Sequence, residues 1–84
     1  MTYKRYAKPR EIALVLTYLS TPRPRTARSI ANELRQNSQW VKRRLQDARS
    51  QELVESEKPR TGLPALWSLT AKGEAWLDEW RAVG

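Results

Sequence analysis

SQWVKRRLQDAR, residues 38–49, reads as one short helix with two unlike faces. Val41, Leu45 and Ala48 recur at i, i+4 and i+7, a stripe suited to burial. Gln39, Lys42, Arg43, Gln46 and Arg49 lie on the other side: three long cations and two amides. Cations bind phosphate and guanine edges, and amides pair with adenine edges. A merely solvated helix face more often mixes Glu with Lys at i,i+4 spacing. Here Asp47 is the only acid in the stretch. A solvated cationic surface and a nucleic-acid reader are both open at this point, and the surrounding elements decide between them.

Upstream, Thr26 is a good N-cap for a helix over Ala27–Leu34. Ile30 and Leu34 face its core side, and Ala31 is small where a neighbouring helix approaches. Arg35 and Gln36 make a tight connection, and Asn37 caps the helix quoted above. Two short helices joined by a turn of three to four residues, the second cationic, form a helix-turn-helix pattern. Before them, STPRPR (residues 20–25) is a stiff linker. Pro22 and Pro24 forbid helix there, and Arg23 and Arg25 ride on it as cations. A further helix starts at Pro9, a residue suited to a first helical turn, and runs to about Leu19. Its main core stripe is Ile12, Val15, Leu16 and Leu19; Leu14 and Tyr18 make a smaller second face. Residues 1–8 read as a basic arm, expected to be flexible when free.

Downstream the period changes. Leu53–Glu57 reads as a short strand, residues 58–62 as a turn and Ala65–Leu69 as the returning strand. The hairpin therefore has a basic tip. Trp67 is a hairpin core residue. Thr70 caps a last helix from Ala71 to about Ala82, on which Gly73, Trp76, Leu77, Trp80 and Val83 share one arc.

The chain has 84 residues, enough for a single domain over residues 9–83. A domain of this size buries only roughly 60–65% of its unfolded surface, so its core is small. Cysteine and histidine are both absent. That excludes disulfides, zinc fingers, thiol chemistry and histidine-based acid–base catalysis. The longest apolar run, Ile12–Leu16, is far short of a membrane span, and no signal-peptide core is visible. The expected location is the cytoplasm, at the nucleoid. Residues 1–50 hold twelve Lys/Arg against three Asp/Glu; residues 51–84 hold four against six. The two halves thus carry +9 and −2, giving the net +7. A basic first half is an electrostatic footprint for a polyanion.

The order helix-helix-helix-strand-strand-helix resembles a winged helix-turn-helix domain, mainly α with a small β-hairpin. Thr26-x-x-x-Ile30-Ala31-x-x-Leu34 is similar to the first half of that motif, and Asn37-x-x-x-Val41-x-x-x-Leu45 to the second. Leu53-Val54, Gly62 and Trp67-Ser68-Leu69-Thr70-x-Lys72-Gly73 are similar to the wing and the entry to the last helix. This string resembles MarR-type regulators, archaeal-phage repressors and small fimbrial or plasmid regulators. Three residues depart from the pattern. Arg35 and Glu52 stand where the family often has Gly, and Gln36 where it often has an aliphatic residue. The wing string Leu63-Pro64-Ala65-Leu66-Trp67 also resembles the hairpin of winged helices that bind Z-form nucleic acid. Those domains carry Asn and Tyr one turn apart on the recognition helix, where this chain has Lys42 and Gln46.

The resemblance implies that Ser38, Gln39, Lys42, Arg43 and Gln46 read bases in the major groove. It implies that Ala27 and Arg28 sit against a phosphate at a helix N-terminus. Lys58, Arg60 and Thr61 at the wing tip would reach backbone or minor groove, and Lys4 and Arg5, beside Tyr3, an adjacent groove. Arg25 and Arg49 are further backbone candidates. Trp40 either wedges into the core or lays its ring on sugar and phosphate. Arg44 points away from the groove, toward a phosphate or an intramolecular partner. Trp76, Trp80 and Val83, with Leu14 and Tyr18, form either a homodimer seam or packing within one chain. The expected function is a small double-stranded DNA-binding transcriptional regulator without cofactor, metal, small-molecule ligand or enzymatic activity. The alternative is a protein–protein adaptor that uses the Trp-rich last helix.

Overall fold

The computed structural model describes residues 9–20, 24–58 and 60–83, with Val83 entering by its backbone alone. Expectations for Tyr3, Lys4, Arg5, Arg23 and Pro59, and for the Val83 side chain, lie outside the described residues. The elements are α1 (Pro9–Thr17), α2 (Ala27–Leu34), α3 (Ser38–Ser50), β1 (Val54–Glu57), β2 (Leu66–Leu69) and α4 (Ala71–Val83). This is the winged helix-turn-helix order. The helix-turn-helix is α2–α3, and the antiparallel β1–β2 hairpin is the wing.

Helix boundaries follow local chemistry. The Thr26 hydroxyl accepts from the Ser29 N–H at 3.1 Å, and Asn37 Oδ1 accepts from the Gln39 N–H at 2.7 Å. Each side chain satisfies one of the N–H groups that a helix start leaves unpaired. Helix α1 ends at Thr17, two residues before the expected Leu19. Tyr18 and Leu19 donate to the carbonyls three residues back, at 3.1 and 2.9 Å, so the last turn tightens out of α-helix.

Both helices of the motif end the same way. Gln36 N–H donates to Ala31 O at 2.9 Å and Arg35 N–H to Asn32 O at 3.4 Å. At the end of α3, Leu53 N–H donates to Ala48 O and Glu52 N–H to Arg49 O, both at 2.9 Å. These are paired Schellman closures, which need a left-handed residue after the helix. Arg35 (φ 58°) and Glu52 (φ 65°) supply it. The two departures from glycine noted in the sequence therefore keep the glycine conformation, each at a cost of about 1 kcal/mol.

One core serves all the elements. Ile12, Val15, Leu16, Ile30, Val41, Leu45, Ala48, Leu53, Val54, Trp67 and Leu77 are buried together. Helix α3 packs on both α1 and α2, and its buried stripe is Val41, Leu45 and Ala48 as expected. Strand pairing sets Val54 opposite Leu69 and Ser56 opposite Trp67. On its other side Trp67 pairs with the linker: Arg25 N–H donates to Trp67 O at 2.9 Å, and Trp67 N–H to Arg25 O at 2.7 Å. The wing is thus laced to the entry of α2.

The start of α4 is latched to the end of α3. Thr70 accepts from the Gly73 N–H at 2.9 Å and donates its hydroxyl proton to Glu52 O at 2.7 Å. Thr70 N–H donates to Leu53 O at 3.0 Å. A Cβ on Gly73 would stand 1.9 Å from that same carbonyl oxygen, so only glycine fits this approach. Among the described residues, no helix is long and apolar enough to cross a membrane.

Candidate nucleic-acid interface

With Val41, Leu45 and Ala48 locked in the core, α3 turns its opposite face outward. Gln39, Lys42, Arg43, Gln46 and Arg49 are exposed and Ser38 is half-buried. An open cleft of about 860 Å³ runs between this face, the N-terminus of α2 and the wing. Thr26, Ala27 and Arg28 line it from α2; Ser38, Lys42 and Gln46 from α3; Lys58 and Gly62–Ala65 from the wing, with Trp67 beneath. Six residues expected at the interface from sequence therefore share one surface: Ala27, Arg28, Ser38, Lys42, Gln46 and Lys58. The first N–H groups of α2 have no intrahelical carbonyl to meet, and Thr26 accepts from that of Ser29. Three cations line the cleft and no acid does.

The cations on or beside these elements that the sequence singled out divide into two classes. Arg28, Lys42, Arg43, Arg49, Lys58 and Arg60 are exposed and form no ion pair among the described residues. Arg25 and Arg44 are spent internally. Arg25 pairs with Glu33, donates to Ser29 Oγ at 2.6 Å and reaches the Tyr18 carbonyl at 3.5 Å. Arg44 is only 8% exposed and donates to Glu11 Oε1 at 2.9 Å. Its Nε lies 3.5 Å from Asp47 Oδ2 without a well-aligned hydrogen bond. Its guanidinium also lies over the Trp40 ring, 5.8 Å from the centroid. Trp40 is half-buried against the core. Arg44 thus takes the intramolecular one of the two roles left open for it, a phosphate or an intramolecular partner.

Gln39, Arg43 and Arg49 are exposed on α3 but lie outside the cleft, as do Arg60 and Thr61 at the wing tip. Leu63, Pro64 and Ala65, noted in the sequence only for their resemblance to the hairpin of Z-form binding winged helices, also line the cleft. Their signal was an apolar run directly after a glycine turn, at the tip of an otherwise basic hairpin.

The Trp-rich face lies elsewhere. Trp76 and Trp80 stack with centroids 5.8 Å apart and planes 9° from parallel. With Pro9, Ile12 and Gln51 they surround a second groove, of about 280 Å³. Tyr18 packs against the core, but Leu14 stays 44% exposed and Trp80 37%. The reading in which this arc covers Leu14 does not hold within one chain, because the tryptophans sit beside Pro9 and Ile12 instead.

No protein-family model matches the chain, and no curated protein does. Solved structures do. A MarR family transcription regulator is 28% identical with a TM-score of 0.75, over 84% of this chain and 48% of that one. A mutant of ZitR from Lactococcus lactis in complex with DNA is 26% identical with a TM-score of 0.71, over 84% and 49%. The chain thus spans about half the length of these two relatives. The apo-Zalpha domain of zebrafish PKZ is 21% identical with a TM-score of 0.67, over 75% of this chain and 95% of that one, a likeness of fold alone.

Proposed function

We propose that this chain is a double-stranded DNA-binding transcriptional regulator that acts by occupying its site, as a repressor does. The observation that carries the reading is the cleft itself. It joins a helix N-terminus, the outward face of α3 and the wing under cations that no internal acid neutralises. In this reading α3 enters the major groove, with Ser38, Gln39, Lys42, Arg43 and Gln46 toward base edges. Ala27 and Arg28 hold a phosphate at the start of α2. Lys58, Arg60 and Thr61 follow the backbone or minor groove, and Arg49 adds a phosphate contact. Trp40 takes part from its half-buried seat by supporting the start of α3. The reading is supported by the likeness to regulators, one of them solved with DNA. A protein acting in this way works in the cytoplasm, at the nucleoid.

A second copy of the chain would pair through the face around Trp76 and Trp80, where Trp80 is 37% exposed. Twofold pairing would present two α3 helices to a palindromic site. In-vitro selection of duplexes from a random pool tests both points. A consensus containing an inverted repeat is expected; a single half-site would leave DNA binding intact and refute the pairing. A pool that shows no enrichment over input would refute sequence-specific regulation and favour the adaptor reading.

A further inference from the structure

We infer that Leu63 is a sugar-contacting residue of the wing, and that through it the site selects deoxyribose over ribose. The inference rests on the DNA-binding reading above and names a contact within it.

Leu63 is 46% exposed and lies outside the hydrophobic core and the side chains packed against it. It contributes little to folding, yet its position is tightly set. Its N–H donates to the Arg60 carbonyl at 3.1 Å, closing a four-residue turn. Gly62, third in that turn, has φ 90°, the place and conformation that a type II turn reserves for glycine. Pro64 follows, and a residue before proline is confined to extended conformations. A leucine held between a glycine turn and a proline is an apolar group presented on a stiff mount.

Its surroundings define what would cover it. Leu63, Pro64 and Ala65 form the apolar wall of the cleft whose other sides carry Arg28, Lys42 and Lys58. Arg60 and Thr61 stand exposed just before it. The partner must be a polyanion that also offers apolar surface a few ångströms from its phosphates. The C1′–C2′ edge of deoxyribose in the minor groove meets both conditions. A ribose at the same place would press its 2′-hydroxyl on the leucine and strip that hydroxyl of water with no hydrogen-bond partner in return.

The test uses a bound duplex in which each nucleotide in turn is replaced by its ribonucleotide, and affinity is read by fluorescence anisotropy. Wild-type protein is expected to lose about fivefold at one or two wing-side positions and little elsewhere, as expected for one hydroxyl desolvated without a hydrogen-bond partner. Leu63→Ser, a change at an exposed position, is expected to bind the all-deoxy duplex more weakly and to lose the position dependence. Lys42→Ala is expected to weaken every duplex while the position dependence remains. A flat wild-type profile, or an unchanged profile in Leu63→Ser, overturns the assignment while DNA binding stands. Failure of the wild-type protein to bind the all-deoxy duplex overturns the DNA-binding reading itself.

Discussion

Arg44 of α3 donates to Glu11 of α1 across a distance of 2.9 Å, a contact that links the two helices. The guanidinium is nearly buried, while Glu11 keeps 38% of its side chain in water. Losing Arg44 therefore leaves an acid that can rehydrate, not a stranded buried charge. Arg44→Ala also removes a nearly buried alkyl stem. We expect Arg44→Ala to cost about 2–3 kcal/mol, and Arg44→Met about 1 kcal/mol because the stem remains. Urea unfolding followed by tryptophan fluorescence ranks the two. Equal losses would show that the ion pair, not the stem, holds α3.

Gly73 reverses the usual rule for helical glycine. In an exposed helix interior, Gly→Ala stabilises by about 1 kcal/mol. Here the new Cβ meets the Leu53 carbonyl oxygen at 1.9 Å, backbone against backbone. Gly73→Ala is expected to destabilise by about 2–3 kcal/mol, since α4 must lift from the α3–β1 junction. A neutral or raised melting temperature would contradict the latch between Thr70 and Leu53.

Arg35 and Glu52 point the other way. Both hold left-handed backbone that glycine adopts without strain. Arg35→Gly and Glu52→Gly should each raise stability by about 0.5–1 kcal/mol. The exposed Lys72–Glu52 pair, at 3.7 Å, is too solvated to offset that gain. Denaturant midpoints of the two variants and their double check this, and the two gains should add because the sites are separate closures.

These positions also show where the sequence was legible. Thr26, Asn37 and Thr70 announced helices because capping is local chemistry, and each caps as expected. The α3 stripe and the burial of Trp67 followed from periodicity. The Arg25–Trp67 backbone pair was not legible, since it joins residues 42 apart through N–H and C=O groups that every residue carries. The strands start one residue later than read, at Val54 and Leu66, because Leu53 is used to close α3 and Ala65 to line the cleft. At the candidate site, charge and helical face brought out Lys42 and Gln46, while Arg28 and Lys58 came from the resemblance to winged helices. The apolar wing wall was visible only through a resemblance, because an exposed leucine in a loop carries no periodic pattern of its own.

If Lys42 reads a base edge, its loss must depend on sequence. Lys42→Ala is expected to weaken binding to the selected duplex by about 1–3 kcal/mol. Binding to unrelated duplex should fall far less. An equal loss on both would reassign Lys42 to phosphate.

The most direct measurement is the salt dependence of duplex binding by the wild-type protein and by Arg28→Ala and Lys58→Ala, read by anisotropy. Each cation that neutralises a phosphate releases counterions, so log K falls linearly with log salt. A steep wild-type slope is expected, and each variant should lower its magnitude by about 1. A wild-type affinity that does not change with salt, or slopes identical in all three proteins, would contradict the assignment of the cleft to DNA.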